Sequence, residues 1–350
     1  MKTENSDVLL IRADAGVRMG TGHVMRCLGL AQAWQDDGGR VVYVMAAGSP
    51  GIEDRLRNEN IEVVPLAVEP GSSADALATA KAAAACGAAW IALDGYHFDA
   101  SYHAVLKRSG LWLLVLDDFG ALEHYWADLV LNQDPIAEEG LYVGREASTR
   151  LLLGTDYTFL RREFRRCPRP TRQIPPVAGR LLVTLGGSDP DNVTEKVMSA
   201  LDDVRVDDLE TIVLVGPSNP HGDRLQAVLA GCRSTVRLLR NPPDVPGWMA
   251  WCDMAVTAGG STIWELAYFR VPCIVLLTAE NQEPAMGLLH RREACLRLGM
   301  GGQVARDTLA AAISDLSRDA TRREALGQRL GAAVDGQGAA RVCGAMRGVL

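Results

Sequence analysis

Residues 8 to 26 read Val8-Leu9-Leu10-Ile11-Arg12-Ala13-Asp14-Ala15-Gly16-Val17-Arg18-Met19-Gly20-Thr21-Gly22-His23-Val24-Met25-Arg26. The apolar run that begins at Val8 and stops at Arg12 has the length of a buried strand. Gly20 and Gly22 permit a tight turn whose backbone comes close to a ligand. Val24, Cys27, Leu28, Ala31 and Trp34 then recur at helical spacing and form one apolar face. Strand, glycine turn and helix in succession are the unit of a parallel sheet with crossover helices. His23 falls in the first turn of that helix, facing whatever Gly20, Thr21 and Gly22 hold. It is either a reacting group or a histidine that caps and packs. The turn is not a dinucleotide fingerprint, because Met25 stands where the third glycine of G-x-G-x-x-G is required.

Outward from this junction the same alternation continues. Val8–Arg12, Val41–Ala46, Ile61–Leu66, Trp90–Asp94, Leu111–Leu116 and Asp128–Leu131 read as strands of one sheet. After a stretch rich in Pro and Arg, Arg180–Leu185, Thr211–Val215, Thr235–Leu239, Asp253–Thr257 and Pro272–Leu277 read as a second. A single core seldom exceeds about 250 to 300 residues, so the 350 residues of this chain predict two domains. The composition break places them at residues 1–165 and 180–350, joined by a linker over 166–179. The fold class is α/β with two Rossmann-like domains. Sheets of this kind bind ligands beyond the carboxyl ends of their strands, so the expected site is a cleft between the domains.

The net charge of −7 does not resemble that of a nucleic-acid binder. The basic run Arg161 to Arg172 is interleaved with prolines and reads as a solvated linker. Eight cysteines without a Cys-x-x-Cys pair, several inside apolar runs, fit buried thiols of a reducing cytosol. The six histidines lack zinc-ligand spacing, and neither metal nor cofactor is implied. The apolar run at Val8 is too short for a signal peptide, and no later run approaches the roughly 20 residues of a membrane span. The expectation is a soluble, cytoplasmic protein; its oligomeric state is not legible.

In the second half, three glycine turns follow strands: Leu185-Gly186-Gly187-Ser188-Asp189-Pro190, Val215-Gly216-Pro217-Ser218 and Ala258-Gly259-Gly260-Ser261-Thr262-Ile263-Trp264-Glu265. A small-residue turn opening a helix offers unpaired N–H groups and partial positive charge, which suit a diphosphate. In the third turn Ser261 or Thr262 can cap the helix with Glu265 bonding back to the chain. Alternatively, Glu265 accepts both hydroxyls of a ribose. Asn281 and Gln282 follow the next strand, where their amides either bond sugar hydroxyls or are ordinary loop residues.

These segments, with Leu93-Asp94-Gly95-Tyr96, Asp117-Asp118 and Asn132-Gln133, resemble a known family. The chain is similar to the nucleotide-sugar hydrolases of pseudaminic acid biosynthesis, which cleave UDP-2,4-diacetamido-2,4,6-trideoxy-β-L-altropyranose, and to the related spore-coat polysaccharide proteins. The string Gly20 to Leu28 is the most specific part, and residues 283–350 match only as helices. The resemblance implies the GT-B-like fold of the lipid II glycosyltransferase, with two facing domains. It also implies metal-independent, inverting hydrolysis with His23 as base, Tyr96 on the sugar, and the C-terminal turns and Glu265 on UDP. Gly95 stands where the family has serine, a departure expected to loosen the Tyr96 loop.

Such a site needs one base rather than the two carboxylates of ordinary glycosidases, because UDP leaves as a stabilised anion that N–H groups and helix ends can hold. The helix N-terminus is expected to keep His23 neutral. Asp14 either orients its imidazole or bonds its own turn. Two alternatives stand beside the hydrolase. One is a glycosyltransferase in which His23 deprotonates an acceptor hydroxyl, marked by an apolar or basic acceptor face. The other is a nucleotide-sugar binding protein without turnover.

Overall fold

The computed structural model describes residues 7–16 and 19–349. The polar stretch Met1 to Ser6 and Val17-Arg18 of the first turn lie outside them. The chain forms two compact units, residues 1–162 with 336–350, and residues 163–335.

In the first unit the strands are β1 (Val8–Ala13), β2 (Arg40–Met45), β3 (Glu62–Pro65), β4 (Trp90–Asp94), β5 (Trp112–Leu116), β6 (Leu129–Asn132) and β7 (Arg150–Leu153). They make one parallel sheet in the order β3-β2-β1-β4-β5-β6-β7. Both faces are covered: Leu9 and Ile11 enter one apolar cluster with Leu28 and Trp34, and Leu10 enters another with Val42 and Ile91. Strands buried on both faces read as continuous apolar runs, as these do. β7 was not foreseen: it is a four-residue edge strand that opens on an exposed Arg150, too short for a pattern to emerge.

The second unit carries β8 (Arg180–Thr184), β9 (Glu210–Val215), β10 (Val236–Arg240), β11 (Met254–Ala258), β12 (Cys273–Leu277) and β13 (Leu296–Met300). Their order is β10-β9-β8-β11-β12-β13, again parallel. β13 falls in the region expected to be helical only. Its sequence contains Arg297 and Gly299, and its register with β12 shifts between Val275 and Leu276.

Two boundaries are corrected. The second domain does not run to residue 350, because the helix Gly338–Arg347 packs on Gly22–Asp36 in the first unit. Ala339, Val342 and Met346 are buried in the same cluster as Leu28 and Ala31. A Cβ at Gly338 would stand 2.2 Å from the Thr158 carbonyl oxygen, so only glycine admits this approach. The expected linker 166–179 is not simply solvated either. Arg172 donates to the carbonyls of Phe269 and Met249, both at 2.7 Å, and Ala178 N–H donates to Ser317 O at 2.8 Å. Arg162, at the head of the basic run, pairs with Asp36 and Glu59 in the first unit at 2.9 Å each.

No helix among the described residues is long and apolar enough to cross a membrane. Truncating the buried Met346 to alanine should lower the unfolding free energy by about 2 to 5 kcal/mol, the usual cost of such a core deletion. Denaturant unfolding followed by circular dichroism checks this, and an unchanged midpoint would detach the terminal helix from the core.

Candidate active site

In a doubly wound sheet the carboxyl ends of the two strands where the order reverses flank a crevice. In the first unit those strands are β1 and β4, paired so that Ala13 stands beside Asp94. The turn after β1 delivers the helix Gly22–Asp36, and the segment after β4 delivers Tyr96. Gly20 has φ +73°, a left-handed conformation that favours glycine, and its N–H and carbonyl pair with Gly16 at 2.8 and 3.1 Å. Thr21 is the N-cap residue, without a side-chain cap bond.

His23, Arg26 and Cys27 occupy positions i, i+3 and i+4 of the helix and so share a face. All three reach Asp94. His23 Nδ1 lies 3.2 Å from Oδ1 of that carboxylate. Arg26 donates to it from Nη2 at 2.7 Å and from Nε at 3.0 Å, and Cys27 Sγ approaches Oδ2 at 3.3 Å. Arg26 also donates to Asp118 from Nη1 at 2.6 Å. The other oxygen of Asp118 accepts from the Tyr96 hydroxyl at 2.7 Å. The Tyr96 ring meets the imidazole of His23 edge to face, with centroids 4.7 Å apart. His23 and Tyr96 are therefore brought together, and Asp94, Arg26 and Asp118 join them as members that residue type alone did not single out.

Asp14 is not the partner of His23. It is buried, accepts from the N–H groups of Ala46 and Ala47 at 2.7 and 2.9 Å, and pairs with Arg12 at 2.7 Å and His97 at 3.0 Å. Burial opposes its charge, but His97 and Arg12 outweigh this and hold its pKa well below the usual range. Its role is to fasten the first turn to the β2 end and, through His97, to the Tyr96 loop. That loop is not loosened by Gly95. A Cβ there would stand 2.7 Å from the His97 ring and 2.9 Å from that of Phe98, so glycine is what lets these rings pack.

The pKa of His23 also shifts opposite to expectation. Burial pulls the imidazolium pKa down, but the Asp94 charge and hydrogen bond, with Asp118 beyond, outweigh it and place the value above 6.5. Burial likewise pushes the Asp94 carboxyl up, and Arg26 and His23 overcome this and hold it well below its ordinary range. Desolvation of the Tyr96 hydroxyl, then the Asp118 charge, keep that phenol protonated. With Nδ1 held by a carboxylate, a neutral His23 carries its lone pair on Nε2, which is the arrangement of a general base.

In the second unit the order reverses between β8 and β11, with Thr184 beside Thr257. The turns Gly186-Gly187-Ser188 and Gly259-Gly260 thus leave neighbouring strands, with Gly216 following β9 on one side and Gln282 following β12 on the other. A Cβ at Gly216 would stand 2.4 Å from Gly187 O, so the first two turns pack backbone to backbone. Ser261 precedes the helix Thr262–Tyr268 without a side-chain cap bond, and Glu265 is half-buried in its first turn. Asn281 is exposed. Gln282 does not present its amide to a ligand as expected: Oε1 accepts from Gly259 N–H at 3.2 Å and Thr278 N–H at 3.0 Å, and Nε2 donates to Thr278 Oγ1 at 3.1 Å. It ties the β11 turn to the β12 turn.

No protein-family model matches the chain. Over 198 residues, 56% of this chain and 58% of the relative, it is 29% identical to the spore coat polysaccharide biosynthesis protein SpsG of Bacillus subtilis. A second curated relative, an uncharacterized protein of Methanocaldococcus jannaschii, is 23% identical over 78% of this chain and 56% of its own length. The chain thus spans little more than half the length of either. Among solved structures, Acinetobacter baumannii MurG matches with a TM-score of 0.67 at 14% identity, over 97% of this chain and 98% of that one. Anabaena HepE in complex with UDP and glucose matches with a TM-score of 0.61 at 15% identity, over 98% and 100%. The fold is GT-B-like, two Rossmann-like units in one chain.

A histidine whose pKa is raised in the folded state stabilises it fully below the unfolded value, and this contribution is lost as pH rises through the folded value. The His23 imidazole should accordingly titrate above pH 6.5 by NMR. In Asp94→Asn the downward pull of burial loses its main opponent and the midpoint should fall. A midpoint indifferent to that substitution would separate Asp94 from His23.

Proposed function

We propose that this chain transfers a sugar from a nucleoside diphosphate carrier to an oxygen nucleophile that His23 deprotonates, the reaction of a glycosyltransferase. The observation that carries the reading is the His23–Asp94 pair at the strand-order reversal of the first unit, flanked by Tyr96. In the proposed step Nε2 of His23 takes the proton of the nucleophile. Its oxygen attacks the anomeric carbon, the bond from that carbon to the diphosphate oxygen breaks, and UDP departs as an anion. One displacement inverts the anomeric configuration. Asp94 orients the imidazole and balances the imidazolium that forms, which is the supporting role of a carboxylate beside a histidine base.

The nucleotide is assigned to the second unit: Gly186, Gly187, Ser188, Gly216, Gly259 and Gly260 supply close backbone approach, Ser261 and Thr262 open a helix, and Glu265 meets the ribose. Support comes from the GT-B-like fold and from the UDP held by the Anabaena protein. Support for transfer over hydrolysis comes from MurG among the matching folds and from the apolar side chains that the first unit exposes beside its strand ends, Met19, Tyr96, Phe119 and Ile136. Such a surface suits an acceptor with an apolar part.

Water in the acceptor's place makes the same step a hydrolysis. The match to SpsG and the string Gly20 to Leu28 favour that second reading, in which the sugar is a deoxy-amino sugar of nonulosonate biosynthesis.

UDP release from UDP-glucose, UDP-N-acetylglucosamine and UDP-2,4-diacetamido-2,4,6-trideoxy-β-L-altropyranose, with and without alcohol acceptors, tests both. Release that requires an acceptor supports transfer, and prompt release in water alone supports hydrolysis. His23→Asn should slow either by about 10²- to 10⁴-fold, the usual contribution of a general base, with UDP affinity by calorimetry unchanged. Full activity in that variant would remove His23 from the step.

A further inference from the structure

A cavity of about 280 Å³ opens in the first unit between the ends of β4 and β5, lined by Tyr96, Phe98, His103, Val115, Phe119 and Leu122 among others. Tyr96 is shared between this cavity and the candidate base: one neighbour of its ring is the His23 imidazole, with centroids 4.7 Å apart, and another is Phe119, at 5.2 Å. A ligand reacting at His23 therefore has the cavity within reach past a single ring. The cavity wall is held in place. Asp117 accepts from the N–H groups of Phe119 and Gly120 at 2.9 and 2.6 Å and from the Tyr142 hydroxyl at 2.8 Å, so the 117–122 loop is fixed by its own carboxylate.

Two features define what fits. Tyr96 and Phe119 remain 58% and 42% exposed, apolar surface that gains from being covered. His103 is 1% exposed, and its Nδ1 has no hydrogen-bond partner among the described residues. That atom is sealed from the cavity's open space, so it offers a ligand no bond. Burial pushes this imidazole down to about 4, so it is neutral near pH 7 and adds no charge to the lining. A densely hydroxylated or ionic group would lose water here with too few partners in return.

We propose that this cavity binds a compact, mainly apolar group borne by the molecule that reacts at His23. The group belongs either to the transferred sugar or to the acceptor alcohol. The link to the reacting molecule rests on the function proposed above, whereas binding in the cavity does not.

The experiment separates the two. Cyclohexanol alone, added to the wild-type protein, should shift the His103 imidazole signals in ¹H–¹³C NMR, and Ala121→Trp, which fills the cavity mouth from an exposed position, should abolish the shift. Ala121→Met is the smaller filler and should weaken it. No wild-type shift, or one unaffected by either substitution, overturns the site whatever the activity.

UDP release then locates the group, comparing UDP-6-deoxyglucose with UDP-glucose in one arm, and cyclohexanol with glycerol as acceptors in the other. A preference of about tenfold in kcat/KM for the apolar partner in one arm, as a hydrophobic pocket can supply, assigns the group to sugar or acceptor. Ala121→Trp should reduce it to about twofold while the rate with the hydroxylated partner is kept. No preference in either arm overturns the link to the reacting molecule. No UDP release in any arm, with the NMR shift intact, overturns the functional reading and leaves the cavity's ligand class standing.

Discussion

A single carboxylate organises the first unit's site. Asp94 ends β4 with its side chain 1% exposed, and a charge so placed is tolerable only if it is paired and hydrogen-bonded. The helix Gly22–Asp36 meets this demand with three consecutive-turn contacts, from His23, Arg26 and Cys27. The two-pronged Arg26 contact is the strongest of these, because a guanidinium matches a carboxylate in geometry as well as charge. His23 is thereby oriented by a partner that Arg26 has already fixed. Removing Arg26 would leave Asp94 under-compensated and displace the imidazole indirectly, without touching it.

The same guanidinium extends the order outward. Its third contact, to Asp118, brings a second carboxylate to the Tyr96 hydroxyl. Residues from three different strand ends, β1, β4 and β5, thus form one chain of charge-assisted bonds. Networks of this kind place a loop side chain such as Tyr96 with the rigidity of the sheet behind it. The parallel Arg12 network acts one layer deeper: Arg12 binds both oxygens of Asp75 at 3.1 and 2.7 Å and meets Asp14. It secures the backbone on which the outer network stands.

What sequence could show follows from where the information lies. Val8 to Arg26 disclosed strand, turn and helix because each has a local period, and His23 stood out because its turn is local too. Asp94 was visible only as the last residue of a strand. Its partnership with His23 depends on β4 lying beside β1 rather than beside β3, and strand order is a property of the whole sheet. Asp14 was the nearer carboxylate in sequence and the wrong one in space, since the pleat turns it toward Arg12 and the β2 end. Gln282 has the residue type of a sugar ligand, yet the two N–H groups it satisfies belong to turns at positions 259 and 278. The terminal helix has ordinary amphipathic spacing, and nothing in that spacing names which unit it covers.

The electrostatics of His23 bear on either chemistry. Pairing with Asp94 raises its pKa, which makes the neutral form a stronger base and at the same time less populated below that value. The gain and the loss nearly offset one another when the value sits near the working pH, so the pairing is justified less by basicity than by geometry and charge. In the proposed step, taking a proton from the nucleophile leaves an imidazolium near an anomeric carbon that is itself gaining positive character. An ionised Asp94, kept so by Arg26, offsets that accumulation. In that proposal the leaving diphosphate needs no acid from this side, because N–H groups and helix ends can stabilise its negative charge. A histidine base paired with an ionised carboxylate is therefore chemically sufficient for the proposed displacement, whether the nucleophile is an alcohol or water.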